Sequence, residues 1–179
     1  MNIGQEYLNI VIERFKSVKN LGDKTIDQLS EEDIFWMYNS ESNSVAIIVK
    51  HMSGNMISRW TDFLTSDGEK DFRNREGEFL NDLSSKSEVK MNWKKGWRTL
   101  MDALTDLNEQ DLVKSVTIRG ERHLVMEAIE RQLAHYAYHV GQLVYIGKQV
   151  KHEEWESLSI PKGKSEDYLS EMLEKHQGK

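Results

Sequence analysis

The stretch Ala134-His135-Tyr136-Ala137-Tyr138-His139-Val140-Gly141-Gln142-Leu143-Val144-Tyr145-Ile146 decides how this chain is read. It belongs to a proline-free segment from about His123 to Val150. Wound as an α-helix, Leu124, Ala128, His135, His139, Leu143 and Ile146 fall in a sector roughly 100° wide. The pattern predicts a long amphipathic helix with two histidines in the middle of its apolar stripe. Gly141 and Gly147 are tolerated inside it at some cost in helix propensity.

Working outward, three more long helices are expected. The first runs from about Asn2 to Lys19, with Leu8, Val11, Ile12, Phe15 and Val18 at helical spacing. Gly22 and Asp23 then read as a polar break. Ser30-Glu31-Glu32-Asp33 is a candidate start for a short helical turn before Phe35 and Trp36. The second long helix starts at Ser42 or Ser44, both good N-caps. It carries Val45, Ile48, Val49, Met52, Met56 and Trp60 and stops near Ser66-Asp67-Gly68. Residues Glu69 to Leu83 are charged and irregular, a connection of the length that is often mobile or functional. The third helix runs from about Ser85 to Leu107, with Val89, Trp93, Trp97, Leu100 and Leu104 as its stripe. Leu112 to Leu124 reads as a short hairpin turning at Arg119-Gly120. After Pro161 and Gly163, Ser165 caps a tail helix whose Leu169, Met172 and Leu173 are expected to face inward.

The fold class is therefore all-α. The architecture is a four-helix bundle with a long crossover, a small hairpin before the fourth helix and a C-terminal tail helix. Residues 1–179 form a single domain, with the bundle core over about 1–150 and the tail helix over about 165–176. The one proline, Pro161, lies beyond the fourth helix and interrupts none of the four.

Composition narrows the chemistry. The absence of cysteine excludes disulfides, thiolate metal sites, iron–sulfur clusters and a cysteine nucleophile. Any metal must be held by His, Asp, Glu or backbone. The formal net charge of −6, from 24 basic and 30 acidic residues, argues against a nucleic-acid partner. The densest basic cluster, Lys94, Lys95 and Arg98, reads as a solvated helix face. No apolar run reaches membrane-spanning length. Glu6 and Glu13 interrupt the N-terminal apolar pattern, so no secretory signal is legible there. A cytoplasmic location is expected.

His135 and His139 project one turn apart from one helical face, the spacing that lets two imidazoles share a metal ion. Side-by-side buried imidazoles need partners for their nitrogens. A metal supplies them, and so do Gln132, Gln142 or tyrosines; the pair alone leaves both readings open. His51 lies beside Ile48 and Asn55 on the flank of the second helix's stripe. It is either an ordinary half-buried histidine or a third ligand, which would complete a site with an open fourth position, the mark of catalytic zinc sites. His123, His152 and His176 read as solvated. Asp62, about three turns beyond His51 on the same flank, is a weak candidate base, better read as a surface residue near the helix end. Trp60, Trp93, Trp97, Tyr136 and Tyr138 read as packing residues. No catalytic or cofactor-binding residue is otherwise assigned.

Other chemistries fail on spacing. The fourth helix lacks the glutamate of the zinc-protease motif. The Glu-x-x-His pairs of di-iron bundles do not occur on these helices. Neither a glycine-rich phosphate loop nor a Gly-x-Ser-x-Gly elbow is present.

Two further runs are familiar. Ser44-Val45-Ala46-Ile47-Ile48-Val49-Lys50-His51 places one histidine on a serine-capped second helix. His135-Tyr136-Ala137-Tyr138-His139-Val140-Gly141-Gln142, followed by Tyr145-Ile146, places a His-x-x-x-His pair on a late helix. Over about residues 1–150 the chain resembles the DinB superfamily of DinB/YfiT-like metalloenzymes, and within it a branch without an assigned reaction. The resemblance implies a four-helix bundle, usually a homodimer, holding a divalent metal ion through His51, His135 and His139. Zinc, nickel and iron all suit such ligands. It further implies a small-molecule substrate and a transferase reaction with a low-molecular-weight thiol as cofactor. The alternatives are a metal-assisted hydrolase and a non-catalytic dimeric metal-binding bundle acting in stress response.

Overall fold

The computed structural model describes residues 2–177. Met1, Gly178 and Lys179 of the expected domain lie outside the described residues. Helix α1 spans Ile3–Gln28, α2 Val45–Trp60, α3 Lys86–Thr105, α4 Val125–Lys151 and α5 Ser165–His176. Strands β1 (Ser115–Ile118) and β2 (Glu121–Leu124) form an antiparallel hairpin just before α4. The chain is an all-α bundle with one small hairpin, as the apolar spacing predicts. Helix α2 packs along α3 and α1 along α4, while α2–α4 and α1–α3 contacts close the ring.

Local chemistry explains the helix starts. Asn2, Ser44 and Ser85 each accept a hydrogen bond from a backbone N–H in the first turn of α1, α2 and α3. Ser44, not Ser42, is the cap of α2. At the start of α4 the Glu127 carboxylate accepts the Leu124 N–H at 3.3 Å. The hairpin turn has positive φ at both Arg119 (57°) and Gly120 (77°), the geometry of a two-residue turn matched to strand twist.

Four expectations change. Helix α1 does not break at Gly22 but continues to Gln28. Gly22 is a packing notch: the indole of Trp93 lies where a Cβ would stand, and its Nε1 donates to Asp23 Oδ1 at 2.6 Å. The missing side chain thus serves the α1–α3 contact, not a turn. Helix α2 ends at Trp60, two turns short of the expected stop. Asp62 therefore falls beyond the helix, exposed and with φ of 49°, and is not on the flank of His51.

The fourth change is at the chain's end. Helix α5 starts at Ser165, without a side-chain cap, and buries no residue; Leu169 and Leu173 are exposed rather than inward.

The core sits inside the ring. Phe15, Met52, Met56, Trp97, Leu100, Ile129 and Tyr136 are fully buried, and Trp60 and Trp93 nearly so. Phe15 packs edge-on against Trp60 and Trp97 at centroid distances of 6.3 and 6.5 Å. Tyr136 is tied across the bundle, accepting from Trp60 Nε1 at 3.1 Å and donating to Asn55 Oδ1 at 2.9 Å. Trp60, Trp93, Trp97 and Tyr136 thus help hold the four helices together, in the packing role expected of them, whereas Tyr138, expected to pack as well, is exposed. Lys94, Lys95 and Arg98 are exposed on α3. Among the described residues no helix is long and apolar enough to cross a membrane.

Candidate metal centre

The fold brings His51, His135 and His139 together. One ring nitrogen from each lies within 4.8 Å of the others, and these three form the group that could hold a metal ion among the described residues. His51 comes from the middle of α2 and is buried; His135 and His139 come from α4 and are half-buried. Ring centroids are 5.6 Å apart for His51–His135, 5.0 Å for His51–His139 and 4.7 Å for His135–His139.

The α4 pair is not in the middle of the apolar stripe. The buried face of α4 is Ala128, Ile129, Gln132, Tyr136, Val140 and Leu143. Leu124, expected on the histidine sector, is exposed. The wheel identified which residues share a face but not which face is covered. The bundle axis lies nearer Tyr136 and Val140, so the histidines occupy the edge facing α2.

Two of the three imidazoles are fixed from behind. The Glu78 carboxylate accepts from His51 Nδ1 at 3.0 Å, which leaves Nε2 as the ring nitrogen available to an ion. Gln142 Oε1 accepts from His139 Nδ1 at 2.8 Å, and the Gln142 amide donates to the Tyr138 hydroxyl at 3.1 Å. His139 Nε2 then also points inward as a lone pair. It stands 3.1 Å from His135 Nε2. Two nitrogens coordinated tetrahedrally at zinc's usual bond length are about 3.3 Å apart, so the spacing suits one shared ion. Phe79 stacks on His51 at 4.9 Å and closes that side.

Glu78 is held in turn. Arg73 Nε and Nη2 donate to its two oxygens at 2.7 and 2.9 Å. Both side chains are buried. Burial alone would raise the Glu78 pKa, but the hydrogen bonds from Arg73 and His51 outweigh it and hold the group ionised. Burial, together with the neighbouring His139 and His51, pushes His135 down to about 3. His139 is lowered as well, first by burial, and this outweighs the support from Gln142. Both rings are neutral near pH 7, the state in which imidazole binds metal.

Glu78 and Arg73 escape a reading of the sequence. They lie in the charged connection after α2, where no periodicity marks one acid among many. That connection is pinned rather than loose. Asp67 accepts from the N–H groups of Arg119 and Gly120, both at 2.8 Å, and Ser58 Oγ donates to Gly68 O at 2.8 Å. A short 3-10 turn at Glu76–Phe79 then delivers Glu78 to His51. Gln142 is legible, being one turn from His139. His123, expected in solvent, is buried: it pairs with Val116 across the hairpin and its Nε2 lies 3.5 Å from Arg131. His152 and His176 are exposed, as expected.

The family described as "Protein of unknown function (DUF1572)" matches residues 2–164. The chain belongs to the DUF1572 family. That family lies in the DinB-like (DinB/YfiT) clan, in agreement with the resemblance carried by His51 and the His135–His139 pair. Among curated proteins, none matches the chain. For a DUF1572 protein the bundle and a geometrically possible three-histidine site are thus in place, while the family's description names no reaction.

Proposed function

We propose that this protein is a metal-dependent enzyme of the DinB-like type, with one divalent ion held by His51, His135 and His139. The observation that carries the reading is the convergence of three inward imidazole nitrogens within 4.8 Å, with no fourth carboxylate, histidine or cysteine in the group. The donor set fits such an ion: all three donors are imidazole nitrogens, and two of the rings have their outer nitrogens engaged. A divalent ion bound there supplies a Lewis acid that lowers the pKa of a bound water or thiol toward neutrality.

The chain's own residues prepare that chemistry. Glu78 and Arg73 fix the tautomer and tilt of His51. Gln142 does the same for His139. Phe79 shields His51 from water. Imidazole ligands add no negative charge, so the full charge of an ion held there would remain available to a bound group.

Thiol-dependent transfer to a small-molecule substrate is the reading drawn from the family resemblance. The same resemblance supports a homodimer. The same three ligands also serve a second reading, metal-assisted hydrolysis, with water in place of the thiol. A role without a nucleic-acid partner is consistent with the net charge of −6.

Elemental analysis of the purified protein tests the ligand set. About one divalent ion per chain is expected, and His135→Ala should lose it. Full metal content in that variant would overturn the assignment. A panel of low-molecular-weight thiols with electrophilic substrates then separates the two reactions: turnover only with thiol supports transfer, and turnover without thiol supports hydrolysis.

A further inference from the structure

A cavity of about 800 Å3 lies beside the metal centre without being walled by the three histidines. It opens on the other side of Gln142, between α4 and the segment leading into α2. Four aromatic residues line it: Trp36 and Tyr38 from that segment, Tyr138 and Tyr145 from α4. Trp36 and Tyr38 meet edge to face at 6.4 Å and 62°. Tyr138 and Tyr145 stand two turns apart on one face of α4 with Gln142 between them. The Tyr138 hydroxyl is engaged by Gln142 at 3.1 Å, which orients that ring. The cavity's one charged lining group among the described residues is Glu41.

We infer that this cavity is a binding site for an organic cation, a substituted ammonium on an apolar frame. Aromatic faces carry negative quadrupole charge and attract cations most strongly when water is displaced, and cages of such rings select quaternary and alkylated ammonium groups. A carboxylate at the rim adds attraction of the same sign. An anion would meet Glu41 with nothing opposite to neutralise it. A neutral apolar ligand would gain nothing from Glu41. The overall charge of −6 also concentrates cations near the surface and repels anions. The site stands independently of the metal, but Gln142 joins the two: the same amide holds His139 and forms part of the cavity wall. A cation seated there lies beside the metal centre without displacing a ligand of it.

The test is an NMR titration of the full chain, in metal-loaded and metal-stripped forms, with three soluble probes of one shape: choline, its neutral isostere 3,3-dimethylbutan-1-ol, and the anion 3,3-dimethylbutanoate. Choline is expected to saturate and to bind roughly tenfold tighter than the neutral isostere whether or not the metal is present, with no measurable binding of the anion to the metal-stripped form. Glu41→Gln and Trp36→Ala should each weaken choline several-fold, and both residues are exposed, so circular dichroism should show the fold intact. Equal affinity for the neutral isostere or the anion, absence of saturation by choline, or unchanged choline affinity in both variants would overturn the inference. If a variant does not fold, the probe comparison on the unaltered protein decides alone. Because the metal-stripped form is included, failure here is distinguishable from failure of the metal assignment.

Discussion

The two sides of the histidine cluster are built differently. On the α2 side His51 is buried, backed by Glu78, which is itself gripped by Arg73 in a buried pair. On the α4 side His135 and His139 are half-buried and backed by a single neutral amide, Gln142, whose own partner Tyr138 is exposed. The first side is a charged network with low solvent access. The second is a neutral relay at the surface. Charged hydrogen bonds in a buried setting are strong when complete and costly when broken. The α2 side therefore sets the position of the site, and the α4 side is where it can adjust and be reached.

That contrast can be broken by substitution. The largest effect should come from Glu78→Ala, which leaves buried Arg73 with only its longer 3.5 Å contact to Glu69. About 3 kcal/mol of stability should be lost, the low end for breaking a buried pair, read by chemical denaturation of the metal-free protein. A loss below ~1 kcal/mol would mean that water reaches Arg73 and the α2 side is not rigid. Next in size is metal affinity. Glu78→Gln should weaken binding by roughly 10- to 100-fold, the range for residues that orient a ligating histidine. Gln142→Leu should fall at or below the lower end, about tenfold. A competition titration with a chelator ranks the two, and the reverse order would reverse the comparison.

A smaller effect is pH-dependent. His135 is held down to about 3 in the folded chain, from an ordinary value of 6.5. Between those values the unfolded state takes up a proton that the folded state refuses. Stability of the metal-free protein from this group is thus complete above about pH 6.5 and lost progressively as pH falls. Denaturation curves from pH 7 to 5 should show a slope that is reduced in His135→Phe. An identical slope in both would remove the burial argument for the α4 side. The smallest effect is expected from Tyr138→Phe. It deletes only an exposed hydroxyl contact and should change stability by less than about 0.5 kcal/mol, measured by thermal melting.

The four-helix reading needed only apolar periodicity, N-cap serines and a late proline, all local signals. The cluster was half legible. The four-residue spacing of His135 and His139 is a property of any helix, and Gln142 one turn on follows from it. Convergence with His51 rested on resemblance, because nothing in a helix wheel says which neighbour a flank will meet. Glu78 and Arg73 were invisible for a different reason: their roles depend on the path of an irregular connection. Gly22 misled because the same residue type marks a turn and a close packing contact, and only Trp93 distinguishes them.

The residue order alone determined that there are four long helices and a hairpin, and the absence of any thiolate ligand. These depend on spacing and atom type, which survive without tertiary contacts. Tertiary structure decided which face of α4 is covered, that the connection after α2 is pinned, and that a buried Arg73–Glu78 pair stands behind His51. Those depend on which surfaces exclude water, and exclusion of water is a property of the assembled bundle rather than of any segment.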